Sequence, residues 1–170
     1  KVVILAAEAG DPGAQYFWGR MHDTRFGLLN DDTIAAKWYG RAASQEYKFA
    51  QTNLGHMCLS GRGVAKAEVE AVKWYHKAAE QGDEIAQTSL GHMYLSGRGV
   101  GKDEAEAVKW FQKAAEQGDP GGQYNYGLMY DTGRGVKKDG GQAVKWYRKA
   151  AEQGDGRAQY MLGIRYHLGY

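Results

Sequence analysis

Hydrophobic residues along this chain recur at the spacing of helices. Within residues 78–118, one set of apolar residues follows the spacing i, i+4, i+7, i+8 and a second set follows a similar helical rule. The first set is Ala86, Leu90, Met93 and Tyr94, and the second is Ala107, Trp110, Phe111, Ala114 and Ala115. The pattern predicts two helices joined by a glycine-containing turn.

Polar residues and glycines mark the ends of these helices. Asp83 is placed to cap the first helix, and Asp103 with Glu106 three residues later predicts a capping box at the second. Gly118 stands where a left-handed residue would end the second helix, and Gly10, Gly82 and Gly154 occupy the equivalent position in other repeats. Two positions depart from this pattern. Glu46 replaces the terminating glycine and Ala67 replaces the capping aspartate, both in the second repeat. The first repeat has Arg25-Phe26-Gly27-Leu28 where three others have Gly-Arg-Gly-Val, so we expect looser packing in the first two repeats.

The helix pair repeats with a period of 36 residues, as the tryptophans Trp38, Trp74, Trp110 and Trp146 show. A fixed period of this size indicates a solenoid, whose units bury their apolar faces against their neighbours. The sequence thus predicts an all-α, single array of about ten antiparallel helices over residues 1–170. Its segments are 1–5 (the end of a preceding second helix), the repeats 6–41, 42–77, 78–113 and 114–149, and 150–170 (the first helix of a fifth repeat). The broken repeats at both ends suggest a piece of a longer array.

A glycine also recurs inside each first helix, where it costs about 1 kcal/mol relative to alanine. Gly91 represents this series. We expect close helix contact to offset the cost, with the alanines Ala107 and Ala114 approaching Gly91 while Trp110 and Tyr94 fill the gaps on either side.

Composition excludes several classes of protein. Lys and Arg total 22 against 20 for Asp and Glu, so the near-neutral chain lacks the electrostatic signature of a nucleic-acid partner. A lone cysteine, Cys58, excludes an intrachain disulfide framework and slightly favours the cytoplasm over an oxidising compartment. No stretch approaches the ~20 apolar residues of a membrane span, and the first residues lack a signal-peptide layout. We therefore expect a soluble protein without membrane insertion.

Candidate chemistry is sparse. His56 and His92 occupy equivalent positions one repeat apart, but packed helices lie ~8–10 Å apart, too far for one zinc ion. They are better interpreted as groove-facing surface histidines. Three Gly-Arg-Gly turns, centred on Arg62, Arg98 and Arg134, follow helices and lack the ending of a phosphate loop; a basic ridge is the alternative. The sequence predicts no catalytic residue, no metal site and no cofactor.

The repeated strings resemble the Sel-one-like repeat (SLR) family, which is related to tetratricopeptide repeats. The strings are Ala79–Asp83, Gln87–Tyr94, Gly97–Val100 and Ala143–Tyr147. The resemblance implies a right-handed superhelical solenoid of helix pairs that serves as a scaffold for protein contacts, and it implies no catalytic residue.

The same resemblance implies that the face of each first helix that is not used for packing points toward a concave groove. This face varies between repeats and mixes aromatic with polar residues, which is typical of binding hot spots. It comprises Tyr16, Arg20, Asp23, Phe49, Thr52, His56, Leu59, Ile85, Thr88, His92, Leu95, Tyr124, Leu128, Asp131, Arg157, Tyr160, Ile164 and His167. We expect a protein or peptide partner here, with Tyr16, Tyr124 and Tyr160 as anchors.

The alternative function is architectural. The array would then be a rigid spacer, or a self-assembling segment that associates end to end with other copies. An enzyme ranks third, because no nucleophile, base and orienting group converge in the pattern.

Overall fold

The structure, a computed structural model, describes residues 2–27 and 29–167, apart from the side chain of Tyr166. All ten regular elements in these ranges are α-helices, and the prediction of an all-α protein is confirmed. Residues 168–170 of the predicted fifth segment lie outside the described residues.

The chain divides into two compact units, residues 1–83 and residues 84–170. The helices of the first unit are α1 (Val2–Glu8), α2 (Pro12–His22), α3 (Asp32–Ser44), α4 (Lys48–Ser60) and α5 (Glu68–Glu80). Those of the second unit are α6 (Glu84–Ser96), α7 (Glu104–Glu116), α8 (Pro120–Thr132), α9 (Gly140–Glu152) and α10 (Gly156–His167). Within each unit, each helix packs against the next one along the chain.

Several of the residues predicted to begin and end the helices do so in the structure. Asp103 Oδ1 accepts a hydrogen bond from the Glu106 amide at 2.9 Å, and Gly118 adopts a left-handed φ of 96°. The capping box is only half formed, because the Glu106 carboxylate reaches Lys109 Nζ at 2.7 Å and the Asp103 amide donates to the Tyr94 carbonyl. The side-chain cap is therefore confirmed and its reciprocal bond is not.

The two irregular positions keep the repeat geometry without its usual residues. Glu46 adopts a left-handed φ of 62°, and its amide donates to the Ala43 carbonyl, as the amide of Gly82 does to Ala79. Ala67 begins α5 with no side-chain cap. Both helix ends form, so the fold is unchanged. The left-handed backbone of Glu46 and the missing side-chain cap at Ala67 each cost some stability locally.

Aromatic rings lie directly on the helical glycines. A Cβ placed on Gly91 would lie 2.5 Å from Cε1 of Phe111, and one on Gly55 would lie 2.6 Å from Cε1 of Tyr75. Close helix contact at these glycines is confirmed, but the nearest atoms belong to the aromatic residue after the tryptophan position. The three atoms nearest to a Cβ on Gly91 all belong to Phe111, not to the predicted alanines Ala107 and Ala114; an alanine contact is seen at Gly19, where the Ala35 carbonyl oxygen lies 3.3 Å from the added Cβ.

Glutamine side chains tie successive helices together. Gln51 Nε2 donates to the Ala43 carbonyl of the preceding second helix at 3.2 Å, and its Oε1 accepts from Gln81 Nε2 at 2.8 Å. The second unit repeats the arrangement with Gln123, Ala115 and Gln153. Buried amides with both ends bonded fix the spacing between helices.

The Gly-Arg-Gly turns pack on the preceding second helix. A side chain at Gly63 would collide with the Asp32 carbonyl, while Arg62 reaches the Asp32 carboxylate at 3.2 Å. Arg134 binds Glu104 in the same way, through Nε at 3.0 Å and a terminal nitrogen at 2.7 Å. These two arginines are neutralised by carboxylates, so they do not form the basic ridge that was the alternative interpretation.

Candidate functional site

The residues of the predicted binding face differ widely in exposure. Seven are exposed, eight are half-buried and three are buried. The exposed residues are Arg20, Phe49, Ile85, His92, Arg157, Tyr160 and His167. The half-buried residues are Tyr16, His56, Leu59, Thr88, Leu95, Tyr124, Leu128 and Ile164. The buried residues are Asp23, Thr52 and Asp131, whose side chains a partner cannot reach, so they leave the candidate surface.

Asp23 is fully buried and holds a polar network within the first unit. Its carboxylate accepts from the Tyr39 hydroxyl at 3.2 Å and pairs with Arg25 at 2.9 Å and Arg62 at 3.0 Å. Burial opposes the charge, but the two arginines outweigh it and hold the pKa of Asp23 far below its usual range. Asp23 is thus a scaffold residue.

Where a buried tyrosine covers the helical glycine, its hydroxyl has a polar residue of the first helix beside it. Tyr39 donates to Asp23, and Tyr147, at the equivalent position in the second unit, donates to Asp131 Oδ2 at 3.3 Å. In the repeat that has Leu59 at the aspartate position, the hydroxyl of Tyr75 lies 2.8 Å from His56 Nδ1. His56 therefore satisfies a buried hydroxyl.

His92 has the same position as His56 but a different neighbour. Its partner ring is Phe111, which has no hydroxyl and meets the imidazole edge to face at 5.1 Å between ring centroids. Asn125 Nδ2 lies 3.2 Å from His92 Nε2. Partial burial of the imidazole, followed by the charge of Arg157, lowers the pKa of His92 and favours its neutral form, although the residue as a whole is exposed.

Burial lowers the pKa of His56 to about 4, and the charges of Arg25 and Arg62 add to the effect while Asp23 opposes it. A neutral Nδ1 can accept the proton of the Tyr75 hydroxyl, which fits this shift. The predicted groove-facing surface histidine is therefore half-buried in the scaffold.

Another series on the face contacts the start of the next first helix. The Tyr16 ring lies 5.3 Å from the Tyr47 ring and 6.1 Å from the Phe49 ring. In the second unit, Thr88 Oγ1 donates to Asp119 Oδ2 at 2.8 Å, and the Arg157 guanidinium lies 4.4 Å above the ring of Tyr124. Such contacts leave only part of each side chain available to a partner.

Surface aromatics that sequence reasoning left out extend the face of the first unit. Phe17 is 51% exposed and Phe26 is 54% exposed, and they line a cleft with Arg20. Phe26 lies in the turn after α2, where the helical periodicity that located the other residues stops. In the second unit, Tyr160, Ile164 and His167 line a cleft of about 370 Å³ on α10, and Tyr160 is 69% exposed.

The second helices present a different surface. Lys77 lies 4.7 Å above the Trp74 ring and Lys113 lies 4.0 Å above the Trp110 ring. Lys73 pairs with Glu70 at 3.1 Å. These three lysines thus cover tryptophan rings or bind carboxylates.

The only cysteine offers no reactive group. Cys58 is buried and free, and burial raises the pKa of its thiol. Within residues 2–27 and 29–167, no three His, Cys, Asp or Glu side chains cluster in a way that could hold a metal ion. No helix in the described ranges has the length and apolar character needed to cross a membrane.

Comparison with known proteins agrees with this architecture. The Sel1 repeat family model matches residues 12–47, 48–83, 85–119, 120–155 and 156–170. A protective antigen of uropathogenic Escherichia coli that displays an SLR fold is 43% identical, with a TM-score of 0.92 over 99% of this chain and 36% of that one. A Sel1 repeat protein from Oxalobacter formigenes is 43% identical, with a TM-score of 0.84 over 93% of this chain and 65% of that one.

The cysteine-rich protein B of Helicobacter pylori is more distant, at 26% identity and a TM-score of 0.60 over 78% of this chain and 98% of that one. A comparison with curated protein sequences gives no significant match. The chain spans about a third of the length of the Escherichia coli antigen and just under two thirds of the Oxalobacter protein.

These matches define the class of protein as a helical-repeat solenoid, which confirms the predicted fold class. The chain belongs to the Sel1 repeat family, as the repeated motifs indicated. Proteins of this family generally mediate protein–protein interactions and are typically non-enzymatic scaffolds.

Proposed function

We propose that this chain is a non-catalytic scaffold that binds a protein or peptide partner on the first-helix faces of its units. The observation that supports this most directly is the contrast between the two sets of repeated positions. The rings over Gly19, Gly55, Gly91 and Gly127 are fully buried and hardly vary, being Tyr39, Tyr75, Phe111 and Tyr147 in that order. The exposed first-helix positions instead change from repeat to repeat.

The exposed set has the chemistry of a binding surface. Phe49 is 43% exposed, Ile85 is 53% exposed and Tyr160 is 69% exposed, although a solvated face has no need of large apolar groups. Exposed aromatic residues supply contact area at a low entropic cost when a rigid helix holds them. The family's general role in protein–protein interaction supports the same function.

The test is capture of a partner from an extract of the native source by the immobilised chain. Phe49→Ala and Tyr160→Ala should each reduce capture strongly, because each removes an exposed ring from a proposed contact face. The matched control in the first unit is Val69→Ala on α5, which removes an exposed apolar side chain from a second helix. The control for Tyr160→Ala is Lys145→Ala, an exposed residue on α9.

Circular dichroism should show equal helicity for all variants. Capture that both aromatic variants retain at the level of the unsubstituted chain would contradict the proposal and favour an architectural spacer. Tyr124→Ala is a weaker test, because the Tyr124 ring lies 5.8 Å from the buried Tyr147 ring and its loss would also affect packing.

A further inference from the structure

A cleft on the first unit combines apolar walls with a cation. Its volume is about 290 Å³, and it is lined by Phe17, Arg20, Met21, Phe26 and Gly27. This is just below the ~300–1,000 Å³ of ligand pockets, which suits one side chain of a larger partner. Phe17 and Phe26 are each about half exposed, so the rings at its mouth are accessible.

Arg20 joins this cleft to the aromatic cluster beside it. Its guanidinium lies 5.0 Å from the centroid of the Phe26 ring and 5.9 Å from that of Tyr16. Tyr16 in turn contacts Tyr47 and Phe49 at the start of α4. Aromatic rings therefore lie on both sides of the exposed Arg20 guanidinium, and the guanidinium of Arg25, also an exposed residue, lies 4.8 Å from the Phe26 centroid.

Two cations of this surface, Arg20 and Lys48, are not paired with a carboxylate among the described residues. Asp23 and Asp32 are already bound by Arg62, and Asp23 is also bound by Arg25. In the described part of the chain, neither Arg20 nor Lys48 has a carboxylate within 4 Å of its charged group. The Nζ of Lys48 lies 5.2 Å from the centroid of the Phe49 ring. Arg25 and Arg62 thus share Asp23 and Asp32, whereas the charges of Arg20 and Lys48 are not paired with any carboxylate that the structure describes.

We infer that the partner segment bound by the first unit is acidic and carries an aromatic or large aliphatic side chain next to a carboxylate. The carboxylate accepts charge-assisted hydrogen bonds from Arg20, and the apolar side chain fills the cleft between Phe17 and Phe26. Arg20 stacks on rings at both sides, which limits its motion and favours a bidentate contact. This inference rests on the proposed function and gives the chemical class of the partner.

The experiment selects phage-displayed random twelve-residue peptides on the immobilised 170-residue chain. Peptides rich in Asp or Glu beside Phe, Trp or Leu should be enriched. The affinity of the strongest peptide is then measured by fluorescence anisotropy and compared with that of its copy carrying Asn and Gln in place of Asp and Glu. The acidic peptide should bind about tenfold tighter or more, since hydrogen bonds between charged groups are the strong ones.

Arg20→Gln should reduce that ratio to near one, and Phe26→Ala should weaken both peptides by removing a wall of the cleft. The matched control is Arg41→Gln, because Arg41 is an exposed arginine of the same unit that stacks on a ring, Trp38, at 4.4 Å, but on a second helix. This control should keep the full ratio. Circular dichroism should show equal helicity for all three variants.

Three results would overturn the inference: enrichment of neutral or basic peptides, absence of enrichment, or a ratio that Arg20→Gln leaves unchanged. A single-stranded DNA oligonucleotide that binds as tightly as the acidic peptide, and that loses this binding in Arg20→Gln, would also overturn it, because the surface would then bind phosphates. None of these results affects the proposed function, which is decided by capture of the native partner and its dependence on Phe49 and Tyr160.

Discussion

At the scale of single residues, buried hydroxyl groups determine which positions of the first helices are available for binding. Tyr39 and Tyr147 use Asp23 and Asp131, whereas Tyr75 uses His56. A buried hydroxyl without a partner costs about 1–3 kcal/mol, so these polar residues are retained by the scaffold. The variation between repeats at these positions therefore has a structural cause as well as a functional one.

Protonation of His56 should make the protein sensitive to mild acid. Its pKa of about 4 in the folded chain lies below the ordinary 6.5, so the unfolded chain takes up the proton first. The stability from a neutral His56 is complete above pH 6.5 and is lost as the pH falls toward 4. We expect a decrease of about 2 kcal/mol in the free energy of unfolding from this residue.

The measurement is urea unfolding between pH 7.5 and 4.5 for the unsubstituted chain and His56→Gln. Glutamine keeps an acceptor for the Tyr75 hydroxyl and does not titrate, so the variant should lose less stability on acidification. Parallel pH profiles for the two proteins would show that His56 is not a buried neutral group.

Glu46 offers a second test at this scale. Its left-handed φ of 62° is unfavourable for a residue with a side chain, and glycine occupies the equivalent positions Gly82, Gly118 and Gly154. Glu46→Gly should raise the free energy of unfolding by about 1 kcal/mol. Gly82→Ala, at a φ of 79°, should lower it by a similar amount. A destabilised Glu46→Gly protein would mean that the Glu46 side chain contributes contacts that outweigh the backbone conformation.

At the scale of helices, the packing between first and second helices depends on glycine facing an aromatic ring. The sequence predicted the helices, their caps and the close approach, because spacing and cap residues are local properties. It did not predict that Phe111 would cover Gly91. Phe111 and Ala107 both lie on the apolar face of the second helix, and only the interhelical geometry decides which of the two contacts the glycine. The same limit explains the unformed half of the capping box, where Lys109 attracts the Glu106 carboxylate.

Opposite effects of alanine at two equivalent glycines would test this packing. Gly91→Ala places a Cβ 2.5 Å from Phe111 and should destabilise by about 1–3 kcal/mol, despite the better helix propensity of alanine. Gly163→Ala on α10 meets no atom within 4 Å and should stabilise the 170-residue chain by up to about 1 kcal/mol. Thermal unfolding followed by circular dichroism measures both, and equal shifts of the same sign would refute the ring contact.

At the scale of the molecule, the candidate surface was only partly predictable. The 36-residue register identified the exposed positions Phe49 and Tyr160, because it correctly assigned the packed face. It also included Asp23 and Thr52, which are buried, because a helical pattern cannot tell a surface residue from one covered by a neighbouring element. Phe26 was missed because it lies in a turn, where periodicity carries no information.

The central claim is that the first-helix faces make the contact with a partner. Hydroxyl-radical footprinting of the unsubstituted chain, free and bound to the protein that it captures, tests this claim most directly. Phe49, Phe26 and Tyr160 should lose reactivity on binding, while Val69 and Trp74 on α5 should keep theirs. Protection confined to Val69, Trp74 and other second-helix side chains, with Phe49 and Tyr160 unchanged, would contradict it.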